Sequence, residues 1–344
     1  GDANATIDQI VALARSRHLD FVVLSDHNAI SQQSLIAAMQ PSLPDLLLVR
    51  GDEITTYGGH GGGLGISSYV DHRIGLNGRT ATAMVHDVVA QGGVFIVNHA
   101  MLQLGDACLG CAWTYDDAWS EVGAMEVQTG NYAQWSALFF DSTIALWDRE
   151  LDRGLRIAAV GGSDDHRAGM GGGASPAEVG TPTTLVWADA LSEAAILDGV
   201  KNGRTEVALR GPDDPLVELA TTGANPKRIG DTANGARIEI EAHVVGGKGL
   251  SLALVQDGTA RPAVAVDADD WRKRFTVEVP KSGSRVRAHL LDGTSAVVVT
   301  SHLWLSYAKP SGGCAIGGPD EARFGALALF ALALLLLVRR RSAE

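Results

Sequence analysis

The sequence predicts an α/β fold followed by a small antiparallel β-sandwich and a C-terminal hydrophobic helix. Short apolar segments alternate with stretches of helical spacing over residues 1–205. Polar and apolar residues alternate strictly over residues 206–308, and a continuous apolar stretch begins at residue 324. With 344 residues, of which 46% are hydrophobic and 20% charged, the chain is long enough to bury a large core.

The first region alternates helices with strands. Helical spacing occurs at residues 7–14, 34–39, 81–90 and 135–151, and strand signals occur at residues 21–24, 46–49, 62–66, 94–97, 124–127 and 156–160. Strands that are separated by helices usually pair in parallel, because a crossover helix returns the chain to the same end of the sheet. This order predicts a parallel sheet, either a closed barrel or a doubly wound open sheet.

The second region carries strand signals without helical spacing. These signals lie at residues 238–240, 252–254, 275–277, 286–288 and 296–299, with turn signals at 256–258 and 292–293. Strands joined by tight turns pair antiparallel, so residues 206–308 are expected to form a β-sandwich. Pro212 and Pro215 mark its junction with the first region, and residues 309–323, rich in Gly, Ser and Pro, predict a linker.

Residues 324–344 predict a membrane anchor. The apolar stretch 324–338 is somewhat shorter than the roughly 20 residues that cross a bilayer. It could still span a thin or locally compressed bilayer, with Arg339, Arg340 and Arg341 snorkelling on the cytoplasmic side. A buried C-terminal helix is the alternative. Together with Cys314 upstream, the tail resembles bacterial C-terminal sorting tails of the MYXO-CTERM type, which implies export and anchoring at the cell envelope or surface.

The net charge and the cysteines limit which ligands and binding partners are expected. The formal net charge of −12 disfavours nucleic acid, whereas small anionic substrates remain compatible if bound cations supply positive charge. Cys108 and Cys111 form a single Cys-x-x-Cys. This pair could be a redox dithiol, half of a zinc site or a local disulfide of an exported protein.

Histidine and acidic residues follow the predicted strands. They are His27 after the first strand, Glu53 and His60 after the second, His99 after 94–97, and Asp164 and His166 after 156–160. The C-terminal ends of strands in a parallel barrel open onto one face, so these side chains are expected to converge. Taken singly, each could be a packed histidine or a turn cap. Converging imidazoles and carboxylates would form a metal site, and Glu126, at another strand end, could face it.

The donor types suit Zn²⁺, Mn²⁺ or Fe²⁺, and a carboxylate such as Glu53 can bridge two ions. More candidate ligands are present than the three of a mononuclear catalytic zinc, so two or three ions are expected. Such a centre supplies a hydroxide nucleophile near neutral pH and holds phosphoryl or acyl oxygens, which predicts hydrolysis. His18, His72 and His86 lie away from strand ends and are expected to be surface or packing residues.

In their order and spacing these segments resemble the motifs of the PHP (polymerase and histidinol phosphatase) superfamily. The matching segments are Ser25-Asp26-His27, Gly51-Asp52-Glu53-Ile54, His60 with Leu64-Gly65, Asn98-His99 and Gly162-Ser163-Asp164-Asp165-His166. The resemblance spans residues 1–205 and implies a distorted (β/α)7 barrel with a di- or trinuclear metal centre that hydrolyses phosphoesters. It implies that His27, Glu53, His60, His99, Asp164 and His166 are ligands, with Glu53 bridging. Asp26 and Asp165 would orient ligands or face the substrate.

The chain departs from the family at its start. The family opens with a strand ending in His-x-His and a later acidic or histidine ligand, and this sequence contains no His-x-His. Gly1-Asp2-Ala3 resembles the segment after that pair, so Asp2 is the expected counterpart of the later ligand. Either the sequence starts a few residues late, without the first barrel strand, or the protein is a degenerate homologue.

The expected function is that of an exported, membrane-anchored, metal-dependent phosphoesterase acting on a small anionic phosphoester. Arg204, at the end of the last barrel helix, could hold the anion, with a structural salt bridge as the alternative. Hydrolysis of carbamates or other carboxylic esters at the same centre is a second possibility. A catalytically inactive surface protein that binds glycan or protein is the third.

Overall fold

The computed structural model describes residues 4–135, 139–170 and 177–309. Its helices are α1 (Ile7–Ser16), α2 (Gln32–Met39), α3 (Ala81–Ala90), α4 (Tyr132–Trp135), α5 (Asp141–Asp152) and α6 (Glu193–Lys201). The strands of the N-terminal half are β1 (Phe21–Leu24), β2 (Leu47–Arg50), β3 (Glu53–Thr56), β4 (Gly59–Leu64), β5 (Val94–Val97), β6 (Ala124–Thr129), β7 (Ala158–Gly162), β8 (Thr183–Val186) and β9 (Thr205–Ala208).

The remaining strands follow residue 215. They are β10 (Leu216–Thr221), β11 (Thr232–Asn234), β12 (Arg237–Val245), β13 (Ser251–Gln256), β14 (Thr259–Ala260), β15 (Val264–Ala265), β16 (Asp270–Glu278), β17 (Ser284–Asp292), β18 (Ser295–Thr300) and β19 (Leu303–Ser306). Strand is therefore the dominant element, with 34% of residues in strands against 21% in helices.

Two sheets form around the N-terminal half. Strands β1 and β2 make a parallel pair, with Phe21 opposite Leu47. A second, five-stranded sheet has the order β3-β4-β5-β6-β7, in which β3, β4 and β5 pair antiparallel and β5, β6 and β7 pair parallel. A single parallel bridge between His27 and Glu53 connects the end of β1 to the start of β3.

The predicted fold class, a (β/α)7 barrel, is wrong, because the alternation of strand and helix is broken. A two-residue turn, Tyr57-Gly58, joins β3 to β4, which forces antiparallel pairing, whereas a parallel crossover needs a dozen or more residues. Between β5 and β6 the described residues 98–123 contain a short 3₁₀ turn, Gly105–Ala107, and no α-helix. The result is a curled mixed sheet in place of a closed parallel barrel.

Glycine in β4 allows the antiparallel strands to lie close together. A Cβ added to Gly61 would lie 2.2 Å from Phe95 Cζ and 3.0 Å from the carbonyl oxygen of Ile96 on β5. Phe95 is fully buried and belongs to the core beneath this sheet. The absence of a side chain at Gly61 therefore makes room for an aromatic ring on the neighbouring strand.

Gly61→Ala is expected to lower the free energy of unfolding by about 1–3 kcal/mol, because the added methyl group overpacks the Phe95 ring. Urea denaturation followed by circular dichroism measures this change. The adjacent Gly62→Ala is the matched control, because its Cβ would lie 3.3 Å from the end of the Asn98 side chain, and its effect should stay below about 1 kcal/mol. Equal effects of the two substitutions would contradict this account of β4.

Two sheets share a core in the C-terminal half. The smaller has the order β10-β12-β16 and is antiparallel, and the larger runs β11-β19-β17-β18-β9-β8 with β13 paired to β17. The burial of β12 alternates along the strand, and Ile240 and Val244 contribute to the core that also contains Leu254 and Val286. β8 precedes residue 206 and β9 crosses it, so the larger sheet includes strands from both halves of the sequence.

Hydroxyl side chains hold β7 beside this larger sheet. The Ala159 N–H donates to Ser301 Oγ at 2.8 Å, and the Thr205 hydroxyl donates to the Ala159 carbonyl at 2.7 Å. Thr184 Oγ1 accepts from the Gly161 N–H at 2.9 Å. These bonds satisfy backbone groups at the edge of the five-stranded sheet, where β7 has no further strand partner among the described residues.

Helix α5 is held against β17 by two charge pairs, of which the Arg287–Asp148 pair is buried. The Arg287 guanidinium, only 2% exposed, donates to both carboxylate oxygens of Asp148, at 2.5 and 2.8 Å. Arg285 donates to Asp152 at 2.7 Å. The Arg287 guanidinium also lies 5.1 Å from the centre of the Trp147 ring. A charge that is buried this fully depends on its partner carboxylate.

Several predictions from the sequence fall outside the described residues. They concern the linker beyond Lys309, the hydrophobic anchor at 324–344 and the proposed ligand Asp2. Within the described ranges, no helix has the length and apolar character needed to span a bilayer.

Candidate metal centre

Three histidines surround Glu53 at the start of β3. Glu53 is 6% exposed, and its Oε1 lies 3.2 Å from His99 Nε2 and 3.4 Å from His60 Nδ1. Its Oε2 lies 3.6 Å from His27 Nδ1. Each residue comes from a different element: His27 follows β1, His60 lies on β4 and His99 follows β5. Residues separated by up to 72 positions, from 27 to 99, therefore meet around one carboxylate.

A fourth imidazole, that of His166, lies against His27. The two Nε2 atoms are 3.3 Å apart, and the rings stack with their centres separated by 5.6 Å. The other nitrogen of each ring contacts an acceptor: His27 Nδ1 lies 2.5 Å from Thr55 Oγ1, and His166 Nδ1 lies 2.8 Å from the Asp164 carbonyl. Since a carbonyl can only accept, Nδ1 of His166 carries a proton.

The Thr55 hydroxyl that contacts His27 also lies 3.3 Å from the Glu53 carbonyl, to which it can donate. Nε2 of His27 is the atom that faces His166. A tetrahedral Zn²⁺ with Zn–N bonds of about 2.0–2.1 Å separates its ligand nitrogens by roughly 3.3–3.4 Å. The observed 3.3 Å fits a cation held by both rings.

Backbone carbonyls of the Cys108–Cys111 loop orient the other two rings. His60 Nε2 lies 3.3 Å from the Leu109 carbonyl, and His99 Nδ1 lies 3.1 Å from the Cys111 carbonyl. Because His60 Nε2 and His99 Nδ1 donate to these carbonyls, the other ring nitrogens, His60 Nδ1 and His99 Nε2, are directed at Glu53. His60 Nδ1 is buried without a hydrogen-bond partner among the described residues. Glu53, His60 and His99 thus offer three ligand atoms within 4.8 Å of one another.

Electrostatic coupling concentrates negative charge on Glu53. Burial alone would raise the pKa of Glu53, but its close contacts with His60 and His99 and the charge of His99 outweigh burial and hold the pKa well below the ordinary value. Burial opposes the charged form of His99, yet the hydrogen bond and charge of Glu53 raise the pKa of that imidazole to about 9. Without a cation, a proton on His99 neutralises the carboxylate.

Two further carboxyl groups face the centre. Burial, then the charge of Glu53, raises the pKa of Asp164 to about 6, and its Oδ1 lies 3.7 Å from His166 Nδ1. Glu126 accepts from the His99 backbone N–H at 2.9 Å and from the Thr129 hydroxyl at 2.6 Å, and burial raises its pKa. Glu126 therefore positions the backbone of a candidate ligand.

The backbone is strained at two of the candidate ligands. His99 has φ of 28° and Asp164 has φ of 54°, in the left-handed region that side chains other than glycine rarely adopt. Each such residue costs on the order of 1–3 kcal/mol and persists only where its surroundings enforce it, which is common at functional sites. This strain supports a functional role for the cluster.

A cavity of about 510 Å³ opens beside these side chains. Its polar end contains His27, Glu53, His99, Asp164 and His166, and its walls are largely apolar, with residues such as Phe21, Ile96 and Val160. Among the described residues that line it, none is Lys or Arg. The cavity is large enough for a small molecule but offers no side-chain cation to an anionic one.

The residues predicted to contact substrate lie in different surroundings. Asp26 is exposed and lines the cavity. Asp165 also lines it, but its carboxylate accepts backbone N–H groups of Arg167 and Gly169, both at 2.8 Å, and of Val179 at 3.1 Å. Arg204 forms an ion pair with Asp198 on α6 and is not among the residues that line the cavity.

Sequence reasoning missed the groups that orient the histidines. Thr55 on β3 contacts the His27 ring, and the carbonyls of Leu109 and Cys111 accept from the rings of His60 and His99. Asn98 adds a side-chain N–H 3.3 Å from Glu53 Oε1. Backbone carbonyls leave no trace in residue type, although the Cys-x-x-Cys pair gives a signal for a constrained loop. That pair forms a disulfide.

Comparisons with known proteins leave the chain without a family. No protein-family model matches it, and none of the curated proteins matches it. A crystal structure of an engineered protein is similar over 55% of this chain and 50% of that protein, with 14% identity and a TM-score of 0.20. The match thus spans about half the length of the engineered protein, at a similarity too low to bear on fold or function.

Proposed function

We propose that this protein is a metal-dependent hydrolase that cleaves phosphoesters at a centre for two divalent cations. The observation that carries the proposal is the convergence of imidazoles on the buried carboxylate of Glu53, where Glu53, His60 and His99 offer three ligand atoms within 4.8 Å of one another. His27 and His166 lie against the same centre, with their Nε2 atoms 3.3 Å apart. The order of the motifs, which resembles that of the PHP superfamily, also supports the proposal, although the predicted barrel does not.

The ligand atoms divide into two groups that share Glu53. His60, His99 and Glu53 Oε1 would hold one cation, and His27 and His166 would hold the other beside Glu53 Oε2. Imidazole and carboxylate donors suit Zn²⁺, Mn²⁺ or Fe²⁺. When bound, such ions lower the pKa of water and polarise a phosphoryl oxygen. The four histidines and Glu53 would hold these ions at the polar side chains of the cavity, beside its apolar walls.

A phosphoester substrate fits the charge balance of the cavity only when cations are present. The described lining lacks Lys and Arg, and it carries the carboxylates of Asp26, Glu53 and Asp164. A phosphate group would be repelled by these carboxylates alone, so its binding depends on the cations. The apolar walls around Phe21 and Ile96 would favour an ester whose alcohol is apolar.

Metal analysis combined with an ester-hydrolysis assay tests this proposal. The full chain, loaded with Zn²⁺ or Mn²⁺ and dialysed, should retain about two ions and cleave p-nitrophenyl phosphate or its diester, and a chelator should abolish the activity. His166→Ala should lose one ion and at least about 100-fold in kcat/KM. His86→Ala is the matched control, because His86 is an exposed histidine paired with Glu121.

Other outcomes select the alternatives. A folded chain that retains no metal would favour the inactive surface binding protein. If the chain retained metal but cleaved only carboxylic or carbamate esters, this would favour a carboxylic-ester hydrolase over a phosphoesterase. An unchanged metal content in His166→Ala would contradict the assigned ligands.

The affinity for the cations is expected to rise with pH between about pH 7 and pH 9. In the absence of cations the pKa of His99 is about 9, so a cation must displace its proton. Displacing one proton strengthens binding by up to about tenfold per pH unit below that pKa. Below about pH 6, protonation of Asp164 should weaken binding further. Calorimetric titration with Zn²⁺ in buffers of different ionisation enthalpy measures both affinity and proton release, and a flat pH profile would contradict the prediction.

A further inference from the structure

The Cys108–Cys111 disulfide lies beside His60. Both sulfur atoms and one ring nitrogen of His60 lie within 4.8 Å of one another. Nδ1 of His60 faces Glu53, and Nε2 faces the carbonyl of Leu109 at 3.3 Å, between the two cysteines. His60 and Cys111 are 4% and 2% exposed, and Cys108 is partly buried. The hydrolytic function uses neither sulfur.

We propose that reduction of this disulfide creates a second metal site, formed by Cys108, Cys111 and His60, that binds a thiophilic divalent cation such as Zn²⁺. Cys-x-x-Cys is the spacing with which paired thiolates chelate zinc, and two thiolates with one imidazole form a known zinc ligand set that leaves a fourth position open. The inference rests on the geometry of the loop and does not depend on the hydrolytic function.

A dithiol reductant can supply the electrons and protons that convert the disulfide into two thiols. The Cys108–Cys111 disulfide takes up two electrons and two protons, and the dithiol becomes a disulfide. The two thiols then lose their protons to solvent as the cation binds, so one Zn²⁺ replaces two H⁺. The oxidised loop offers no thiolate, so the site exists only in the reduced protein.

Backbone contacts within and beyond the Cys108–Cys111 loop would keep the thiols near His60 after the disulfide is reduced. Gly110, with φ of 76°, packs against the β3–β4 turn, and a Cβ there would lie 2.2 Å from the Thr56 carbonyl oxygen. Beyond the loop, the Trp113 N–H donates to the Ala100 carbonyl at 2.9 Å. Tetrahedral zinc with Zn–S bonds of about 2.3 Å needs the sulfurs roughly 3.8 Å apart, which rotation of two side chains can supply.

The shared histidine links the two sites. Binding of a cation at His60 Nε2 would replace the hydrogen bond to the Leu109 carbonyl, which fixes the proton position of this ring. The direction of Nδ1 toward Glu53 would then no longer be enforced by the loop. Reduction of Cys108 and Cys111 followed by cation binding would thereby change the orientation of His60 in the candidate metal centre.

Cobalt spectroscopy tests the thiolate site. The full chain carrying Cys314→Ser, which removes the other cysteine, is reduced with a water-soluble phosphine and titrated with Co²⁺. We expect a thiolate-to-cobalt charge-transfer band with about one additional Co²⁺ per chain in the reduced protein. The oxidised protein and the variant that adds Cys108→Ser and Cys111→Ser should lack the band.

His60→Ala separates this arrangement from chelation by the cysteines alone. The band should persist in the reduced variant, with Co²⁺ bound at least about tenfold more weakly. Absence of the band in reduced protein whose circular dichroism matches that of the oxidised form would overturn the proposal, as would an unchanged affinity in His60→Ala. Phosphoester hydrolysis by the oxidised protein is measured separately, so failure of one proposal is distinguishable from failure of the other.

Discussion

Glu53→Gln is expected to remove both cations from the protein and to lower kcat/KM for a phosphoester by at least about 100-fold. The amide keeps the size of the side chain at this buried position but loses its charge. Oε1 of Glu53 faces His60 and His99, and Oε2 lies on the side of His27, so one substitution affects both groups of ligands. Elemental analysis after dialysis and the p-nitrophenyl phosphate assay measure the two losses.

Glu239→Gln provides the control for this substitution. Glu239 is an exposed residue on β12, and replacing it removes the same charge outside the cavity lining. This variant should retain its metal and activity. If Glu53→Gln retained two ions per chain, Glu53 would not be the shared ligand and the arrangement proposed above would fail.

Asp148→Ala is expected to lower the free energy of unfolding by about 3–5 kcal/mol, because it leaves the buried Arg287 guanidinium without a carboxylate. Both oxygens of Asp148 accept from Arg287, which is 2% exposed. The remaining neighbours, His289 and His302, cannot neutralise this charge, and burial, then the charge of Arg287, lowers the pKa values of both histidines. Urea denaturation monitored by tryptophan fluorescence measures the loss.

Asp152→Ala is the comparison within the same helix. Asp152 also pairs with an arginine, Arg285, but its side chain is 65% exposed, so its removal should cost less than about 1 kcal/mol. Similar losses for Asp148→Ala and Asp152→Ala would show that the buried pair does not hold α5 against β17.

The elements that the sequence predicted well are those encoded by local patterns. The apolar runs at 21–24 and 94–97 form β1 and β5 with the expected bounds, and the helical spacing at 81–90 forms α3. The candidate ligands were found because His27 and His99 directly follow such strands. Residue type and position at a strand end are local signals, and they indicate a site without requiring the order of the strands.

Whether neighbouring strands pair parallel or antiparallel could not be predicted from such local signals. β4 begins Gly-His-Gly-Gly-Gly and has no apolar side chain before Leu64, so the strand signal at 62–66 indicates neither its start at Gly59 nor its hairpin with β3. That hairpin reverses the chain where the predicted barrel needs a crossover helix. The proton positions of His60 and His99 depend on carbonyls of a loop about 50 and 12 residues further along the chain. Neither feature follows from the residues nearby.

The hydroxyl bridge between β7 and the C-terminal strands has a consequence for how the molecule can be divided. β7 leads directly to Asp164 and His166, and its backbone relies on Ser301, from a segment more than 130 residues downstream. A fragment cut after residue 205 would leave the Ala159 N–H without an acceptor and would remove the residues of β9 that pair with β18. The positions of Asp164 and His166 thus depend on strands of the C-terminal half, so the N-terminal half is not expected to fold as a separate unit.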